Sequence, residues 1–209
     1  ILTRLVGSEM CIRDSHSTWQ VADIASGVGN SGPGSYMVLL VGDTLYFDAN
    51  DGSTGRELWA HDTSNHSTWQ VADIDSGHSA SGPGYDMHLL VGDTIYFSAW
   101  DGSTGTELWA HDTSNHSTWL VADINSGGGS SRPGIYMDIL VGDTIYFPAT
   151  DGSTGYKLWA HDTSNHSTWQ VVATITPSSA MQILVGDTIY FPANDGTVSY
   201  THLRAHETR

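Results

Sequence analysis

Residues 36–74 read YMVLLVGDTLYFDANDGSTGRELWAHDTSNHSTWQVADI, and this stretch decides the fold. It contains four runs rich in β-branched and aromatic residues, separated by turn-forming residues; the runs are 36–41, 44–49, 57–62 and 68–74. The link Gly42-Asp43 is a tight hairpin signal, because glycine adopts a positive φ at little cost. The apolar period is close to 2, which indicates strands and not helices. We therefore predict a four-stranded antiparallel meander.

The meander is repeated along the chain. The motif HSTW begins every 50 residues, at His16, His66, His116 and His166. It divides residues 16–197 into three full repeats and a truncated fourth: 16–65, 66–115, 116–165 and 166–197. Four-stranded meanders at a period of about 40–50 residues are typical of β-propeller blades. We predict an all-β, open array of propeller-type blades, too few to close a ring, with a β-solenoid as the alternative.

Two segments resemble a known family. LYFDANDGSTGRELW (45–59) and ELWAHDTSNHSTWQVADI (57–74) are similar to the ELWxxDGT repeats of large secreted bacterial proteins. The chain departs from that pattern where Asp62-Thr63-Ser64 replaces DGT, where Ser67-Thr68 replaces GT, and where Lys157 replaces the glutamate. The resemblance implies an extracellular, propeller-like repeat array, and it supplies no catalytic residue.

The two ends of the chain differ from the repeats. Residues 5–15 read LVGSEMCIRDS and residues 198–208 read VSYTHLRAHET. A single oligonucleotide, translated on its two strands, encodes LVGSEMCIRDS and all but the last residue of VSYTHLRAHET, and it looks like a transposase-type sequencing adapter. We therefore predict that residues 1–15 and 198–209 are translated adapter and not native sequence. The alternative is a pair of genuine flexible tails.

Composition excludes several classes of protein. The 209 residues include 23 Asp and Glu against 7 Lys and Arg, and residues 16–197 keep only Arg56, Arg132 and Lys157 as basic residues. This balance argues against a nucleic-acid partner, because phosphate contacts need basic side chains. No stretch reaches the roughly 18 apolar residues of a membrane span. The single cysteine, Cys11, excludes an internal disulfide framework and a cysteine-based zinc site.

Three pairs of histidines are the first candidates for chemistry. Each pair flanks the turn Asp-Thr-Ser-Asn; the pairs are His61 with His66, His111 with His116, and His161 with His166. Two imidazoles that face each other across a hairpin lie close enough to share a metal ion. Because no third ligand is fixed beside them, the other interpretation is a set of exposed polar residues in a turn.

The Asp-Gly turns are the second candidates. Asp51, Asp101 and Asp151 each open the repeated turn DGSTG, and Asp48 and Asn50 precede its first copy. Several oxygens in a tight turn suit calcium, which is a hard cation. An aspartate that caps its own turn explains the constant residues without a metal. We predict no cofactor, with structural calcium as the alternative left open.

The differences between repeats supply the third candidates. They are concentrated at positions 25–39, 48, 50 and 56. Repeat proteins often vary on the loop-bearing side that binds a ligand, and unconstrained drift produces the same pattern. The ligand-binding candidates are His78, Tyr85, Asp86, Trp100, Tyr136 and Tyr156. Trp100 stands out because the other copies have Asn50 and Thr150 in its place, and an exposed indole can stack on a sugar ring.

The repeats contain no nucleophile elbow, phosphate loop or zinc-protease motif, so we predict no enzyme in this segment. The predicted function is that of a binding or adhesion module in a secreted or cell-surface protein, with a glycan or a surface protein as partner. The alternatives are a structural spacer without a ligand and an accessory domain of a secreted hydrolase. The open sheet edges at the two ends also predict self-association.

Overall fold

A computed structural model describes residues 10–12, 18–27, 29–135, 137–153, 155–172, 176–177, 183–186, 188–194, 199–200 and 203–204. Every regular element within these ranges is a β-strand. Accordingly, the described part of the chain has no helix long and apolar enough to cross a membrane. The prediction of an all-β chain is confirmed.

The chain forms three complete four-stranded sheets after a short antiparallel pair, β1 (Met10–Ile12) and β2 (Thr18–Gln20). Each complete sheet is an antiparallel meander whose strands follow one another in sequence order. The first sheet contains β3 (Val38–Val41), β4 (Thr44–Asn50), β5 (Arg56–Asp62) and β6 (Thr68–Ala72). The second contains β7 (His88–Val91), β8 (Thr94–Trp100), β9 (Thr106–Asp112) and β10 (Ser117–Ala122). The third contains β11 (Ile139–Val141), β12 (Thr144–Ala149), β13 (Lys157–Asp162) and β14 (Ser167–Val172).

The strands after the third sheet are shorter. They are β15 (Thr176–Pro177), β16 (Ile183–Val185), β17 (Thr188–Tyr190), β18 (Ala193–Asn194), β19 (Ser199–Tyr200) and β20 (Leu203–Arg204). The fourth sheet has the order β16-β17-β20, and a small sheet has the order β15-β18-β19. In the fourth sheet β20 pairs with β17 at the place of a third strand. The strands β1, β19 and β20 lie in the end segments, whose adapter origin stays a prediction.

The core lies between the sheets. Side chains alternate between the two faces of a sheet, and one face of each sheet packs on the opposite face of the next. The forward face of the first sheet carries Tyr46 and Leu58, which pack on Ile95 and Phe97 of the second sheet's backward face. The second and third sheets, and the third and fourth, repeat this contact. Six tryptophans pack against the same clusters; they are Trp59, Trp69, Trp109, Trp119, Trp159 and Trp169.

The meander sorts the turns onto two rims of the array. The turns after the first and third strands form the turn rim, which carries the Gly-Asp and Asp-Thr-Ser-Asn turns. Gly42 has a φ of 59°, as the tight hairpin requires. The turns after the second and fourth strands form the loop rim, which carries the DGSTG turns and the glycine-rich loops. The histidine pairs therefore lie on the turn rim, and the ligand-binding candidates that the structure describes lie on the loop rim.

Candidate binding surface on the loop rim

A buried carboxylate anchors the glycine-rich loop after the first sheet. The Glu57 carboxylate is fully buried and accepts hydrogen bonds from the Ile74 amide (2.8 Å), the Ser81 amide (2.9 Å) and the Ser81 hydroxyl (2.6 Å). Burial raises the pKa of Glu57 to about 7, against the lowering effect of these hydrogen bonds. Glu107 makes the three equivalent contacts in the next loop. The glutamate of the repeated ELW motif is thus a loop anchor.

The third repeat lacks this anchor. Lys157 replaces the glutamate, and the two VGDT motifs on either side of it, at Val141 and Val185, are 44 residues apart and not 50. A lysine ammonium has no acceptor for backbone amides. The loss of the acceptor therefore coincides with the shortening of the loop that it would hold.

An ion pair supports the start of the first strand in the first repeat. The buried Asp48 carboxylate accepts the amides of Tyr36 (2.8 Å) and Met37 (2.9 Å) through Oδ1, and its Oδ2 pairs with Arg56. The Arg56 guanidinium also lies 5.2 Å from the centre of the Tyr36 ring. These contacts occupy the Asp48 carboxylate, so it does not take part in a calcium loop with the Asp-Gly turn.

Both members of this ion pair change in the second repeat. Ser98 stands at the place of Asp48, and Thr106 stands at the place of Arg56. The Ser98 hydroxyl still accepts the Asp86 amide, at 2.9 Å. The variable positions 48 and 56 are therefore partners in the first repeat, and Ser98 by itself keeps the support of the strand in the second.

Arg132 brings three of the predicted ligand-binding residues together. Its Nη2 donates to Oδ1 of Asp86 at 3.0 Å, and its Nε donates to Oδ2 at 3.3 Å. This hydrogen bonding raises the pKa of Arg132, and the neighbouring hydroxyls of Tyr156 and Tyr85 act in the same direction. We call Tyr36, Tyr85, Asp86, Arg132 and Tyr156 the Arg132 cluster.

The backbone of Arg132 is in the left-handed region, with a φ of 50°. The equivalent residues of the other two loops are glycines, Gly32 (49°) and Gly82 (58°). A side chain in this conformation costs on the order of 1 kcal/mol, and residues kept in such a conformation cluster at functional sites. Arg132 is not among the ligand-binding residues predicted from the sequence. The signal was a basic residue, one of three in residues 16–197, at a glycine position of the repeat.

Exposed aromatic side chains widen the surface. Tyr85 is 59% exposed, and its ring centre lies 4.9 Å from that of Tyr36, edge to face. Trp100 is exposed on the same rim at the end of β8, and His78 is exposed in the preceding loop. Tyr136 lies outside the described residues. The loop rim thus combines aromatic surface with two arginine–aspartate pairs, Arg56–Asp48 and Arg132–Asp86.

The inner histidines on the turn rim are buried, and the interpretation of these residues as exposed turn residues is wrong for His61, His111 and His161. The Nδ1 atom of His111 lies 2.8 Å from the Thr118 hydroxyl. Its ring centre lies 5.4 Å from that of Tyr46 on the preceding sheet. Burial lowers the pKa values of His111 and His161 to about 4. These two histidines are thus neutral packing groups between sheets. All three inner histidines were expected to be exposed, because the sequence pattern shows only their proximity to a turn.

The outer histidines close the Asp-Thr-Ser-Asn turns. His66 has a φ of 62°, and its amide donates to the Asp62 carbonyl at 2.8 Å. The rings of His61 and His66 lie 6.3 Å apart, and those of His161 and His166 lie 6.5 Å apart. Among the residues the structure describes, no three His, Cys, Asp or Glu side chains are grouped so as to hold a metal ion. Each pair therefore offers two ligands and no third.

The aspartates of the Asp-Gly turns cap their own turns. Oδ1 of Asp51 accepts the amides of Ser53 and Thr54, both at 2.7 Å. Although burial acts to raise the pKa of Asp51, hydrogen bonds from Ser53 and Thr54 lower it to about 2. Asp101 and Asp151 accept the equivalent serine amides. These contacts account for the repeated aspartate without a metal.

A groove of about 570 Å³ opens on the turn rim between the second and third sheets. Its walls include Tyr96, Asp112, Trp119, Asp143 and His166. Each of these residues has an identical counterpart between the first and second sheets: Tyr46, Asp62, Trp69, Asp93 and His116. The turn rim is therefore uniform from repeat to repeat, whereas the loop rim is not.

Comparison with known proteins identifies the fold. No family model and no curated protein matches the chain. The chain is similar to puromycin hydrolase, with a TM-score of 0.58 and 14% identity over 94% of this chain and 30% of that one. It is similar to a puromycin-hydrolyzing peptidase of Mycobacterium tuberculosis, with a TM-score of 0.56 and 10% identity over 94% and 30%. TolB from Acinetobacter baumannii also matches, with a TM-score of 0.45 and 12% identity over 94% and 45%.

The fold is a β-propeller in an open array, as predicted. The chain spans less than half the length of each of these three proteins. At this identity the likeness shows the fold alone, because one fold carries many unrelated activities. The resemblance to ELWxxDGT repeats stays a prediction.

Proposed function

We propose that this chain is a non-catalytic module that binds a glycan on the loop rim, at the Arg132 cluster. The observation that carries the proposal is the left-handed backbone of Arg132 at a position where two other repeats have glycine. The backbone strain has no counterpart in the loops that carry Gly32 and Gly82. The left-handed backbone brings the guanidinium of Arg132 beside two tyrosines, Tyr85 and Tyr156, on the loop rim.

The chemistry of the cluster suits a hydroxylated ligand. Asp86 orients the Arg132 guanidinium and occupies two of its donors, which leaves other N–H groups for sugar hydroxyls. The exposed Tyr85 ring supplies an amphipathic surface on which a sugar ring can lie, and Trp100 supplies a second one on the same rim. The strongly acidic surroundings repel phosphorylated ligands and favour neutral sugars.

The proposal includes an extracellular or cell-surface location. An acidic surface with almost no lysine keeps a protein dispersed in salt water, where glycans of neighbouring cells and matrices are the available ligands. A surface protein is the alternative partner, since exposed tyrosine and arginine are also common in protein interfaces.

A glycan array followed by affinity electrophoresis in the retained polysaccharide tests the proposal. Arg132→Gly and Tyr85→Ser install residues that other repeats carry at the same positions, so the fold tolerates them. We expect each variant to weaken retention at least tenfold, with an unfolding midpoint that stays within a few degrees of that of the unaltered chain. His116→Gly is the matched control, because it removes a side chain from a left-handed position on the opposite rim.

Two results would contradict the proposal. One is retention of Arg132→Gly equal to that of the unaltered chain. The other is an array on which the unaltered chain binds no glycan, which would favour a structural spacer without a sugar ligand.

A further inference from the structure

We propose that the turn rim binds an extended, lysine-containing peptide segment of a partner protein, with one lysine side chain in each groove between neighbouring sheets. The proposed surface lies on the rim opposite the Arg132 cluster, so it does not depend on the proposed glycan site. The groove between the second and third sheets carries the inference, because residues of two complete sheets form its walls.

The groove is a site that two repeats share. The second sheet contributes Tyr96 from β8, Asp112 from β9 and Trp119 from β10. The third sheet contributes Asp143 and His166 from its two turns on this rim. The volume of about 570 Å³ falls within the roughly 300–1,000 Å³ of ligand sites. The groove therefore has room for a long side chain and part of the backbone that carries it.

The charge of the groove favours a cation. Its lining residues include two aspartates, Asp112 and Asp143, and no lysine or arginine. Hydrogen bonds from Ser114 lower the pKa of Asp112, so this carboxylate keeps its negative charge, and Asp143 is exposed on the wall made by the third sheet. The basic residues of the repeats all lie on the loop rim; they are Arg56, Arg132 and Lys157. A cationic side chain on the turn rim thus meets carboxylates and no competing lysine or arginine of these repeats.

The aromatic walls indicate an ammonium group on an apolar stem. Trp119 lines the groove, and the face of an indole attracts an alkylammonium group within about 6 Å. The ring of Tyr96 lies beside it in the core cluster. A lysine side chain combines a compact ammonium with an apolar stem that packs along such surfaces. A neutral sugar in the same place would leave both carboxylates without a counter-charge.

A buried histidine nitrogen adds an independent indication of a ligand. The Nε2 atom of His161 is buried and has no hydrogen-bond partner in the described part of the chain, and such atoms are uncommon in folded proteins. The His161 ring centre lies 5.3 Å from that of Tyr96 and 6.5 Å from that of His166, and both of these residues line the groove. When Nδ1 donates its proton to the Thr168 hydroxyl at 2.9 Å, Nε2 is an acceptor, which suits a ligand that carries N–H donors.

The same arrangement recurs between the first and second sheets. Asp62, Asp93 and Trp69 stand at the places of the two aspartates and the tryptophan. The ring centre of His111 lies 5.4 Å from that of Tyr46, and the Nε2 atom of His111 also lacks a partner among the described residues. The turn rim therefore presents one site to each side of the second sheet.

The distance between the two sites selects the shape of the ligand. Packed sheets lie about 10 Å apart. In a polyproline II segment, residues i and i+3 lie on the same side of the chain and about 9 Å apart. A segment with lysine at every third position therefore places one ammonium group in each groove. Its backbone would lie across the second sheet between them.

Fluorescence anisotropy on the full 209-residue chain at low ionic strength tests the proposal. The probe is the peptide Lys-Pro-Pro-Lys-Pro-Pro with blocked ends and an uncharged dye. We expect saturable binding that weakens as salt is added. Asp93→Asn and Asp143→Asn each remove one exposed carboxylate and should weaken binding about fivefold, the upper range for an exposed ion pair. The double variant should lose about 25-fold, because the two sites lie far enough apart to act additively.

Asp73→Asn/Asp123→Asn is the matched control, because it makes the same change of net charge at exposed aspartates on the loop rim and should leave the affinity within about twofold. The permuted peptide Lys-Lys-Pro-Pro-Pro-Pro has the same charge and should bind at least fivefold more weakly. Four results would overturn the proposal: no saturable binding of the probe, equal losses in the two double variants, equal binding of the permuted peptide, or a free polyamine such as spermidine that binds as tightly as the probe.

Discussion

The loop rim and the turn rim are built by the same sheets, yet they tolerate change differently. On the turn rim each turn is tied to its neighbour, since the Thr63 hydroxyl and amide both donate to the Asp43 carbonyl at 2.8 Å. Asp62 binds its own turn through Ser64 and Asn65. On the loop rim the Glu57 carboxylate alone makes three of the contacts that hold the long loop, so the remaining loop side chains are free to differ.

The two rims also place residues in the left-handed region for different reasons. His66, His116 and His166 each end a four-residue turn that is the same in every repeat. Arg132 occupies a glycine position in one loop only. Backbone strain that recurs in each copy of the turn therefore belongs to the turn itself, whereas backbone strain in a single repeat points to a functional site.

The largest expected effect is a loss of stability in acid. Low pH should lower the free energy of unfolding by weakening contacts on the turn-rim side of the core. Burial lowers the pKa values of His111 and His161 to about 4, with the outer histidines His116 and His166 acting in the same direction. The stability that each contributes is present above the unfolded pKa of 6.5 and is lost as pH falls toward 4. This loss is on the order of 3 kcal/mol for each histidine. Urea unfolding at pH 7 and pH 4.5 should show it.

The double variant His111→Gln/His161→Gln provides the reference for that experiment. It should lose several kcal/mol less than the unaltered chain between pH 7 and pH 4.5. Equal losses in the two proteins would mean that the inner histidines are not buried as neutral rings.

The next effect is a loss of stability as pH rises, which is the opposite pH dependence, and it arises on the loop rim. Because burial raises the pKa of Glu57 to about 7, its contribution is fully present below pH 4.5 and is lost as pH rises through 7. The change is on the order of 3 kcal/mol. Comparison of the pH dependence of unfolding in the unaltered chain and in Glu57→Gln isolates it. A Glu57→Gln variant with the same slope between pH 4.5 and pH 7.5 would refute the assignment.

A smaller effect separates the two kinds of left-handed residue. His116→Gly should raise the free energy of unfolding by about 0.5–1 kcal/mol, because glycine relieves the backbone strain. Arg132→Gly should raise it less, because the buried Asp86 carboxylate loses its ion pair. Urea unfolding at pH 7 measures both changes. A larger gain for Arg132→Gly than for His116→Gly would contradict the role given to Asp86.

The smallest effect is expected where aromatic side chains on the loop rim are exposed. Tyr85→Ser and Trp100→Asn install residues of the first repeat at exposed positions. Each should change the free energy of unfolding by less than about 0.5 kcal/mol. Thermal unfolding checks this. A loss above about 1 kcal/mol would show that these rings stabilise the fold and do not simply form a surface.

Much of the architecture can be predicted from residues that are close together in the sequence. The alternation of apolar and polar residues and the Gly42-Asp43 hairpin predict the strands, and the observed first sheet, Val38 to Ala72, lies within the predicted unit 36–74. The self-capping of Asp51 was also predictable. Each of these features depends on residues a few positions apart, whose geometry the backbone constrains directly.

Only the tertiary structure decided which distant residues meet. Asp86 and Arg132 are 46 residues apart in the chain, and Asp48 and Arg56 vary together because they pair across a hairpin. The burial of His111 depends on Tyr46 of the preceding sheet, one repeat away. A one-dimensional pattern records which face of a strand is apolar, but it does not record which sheet covers that face. That choice arises from the packing of one sheet on the next, and so the sequence alone predicted the blades but not the Arg132 cluster.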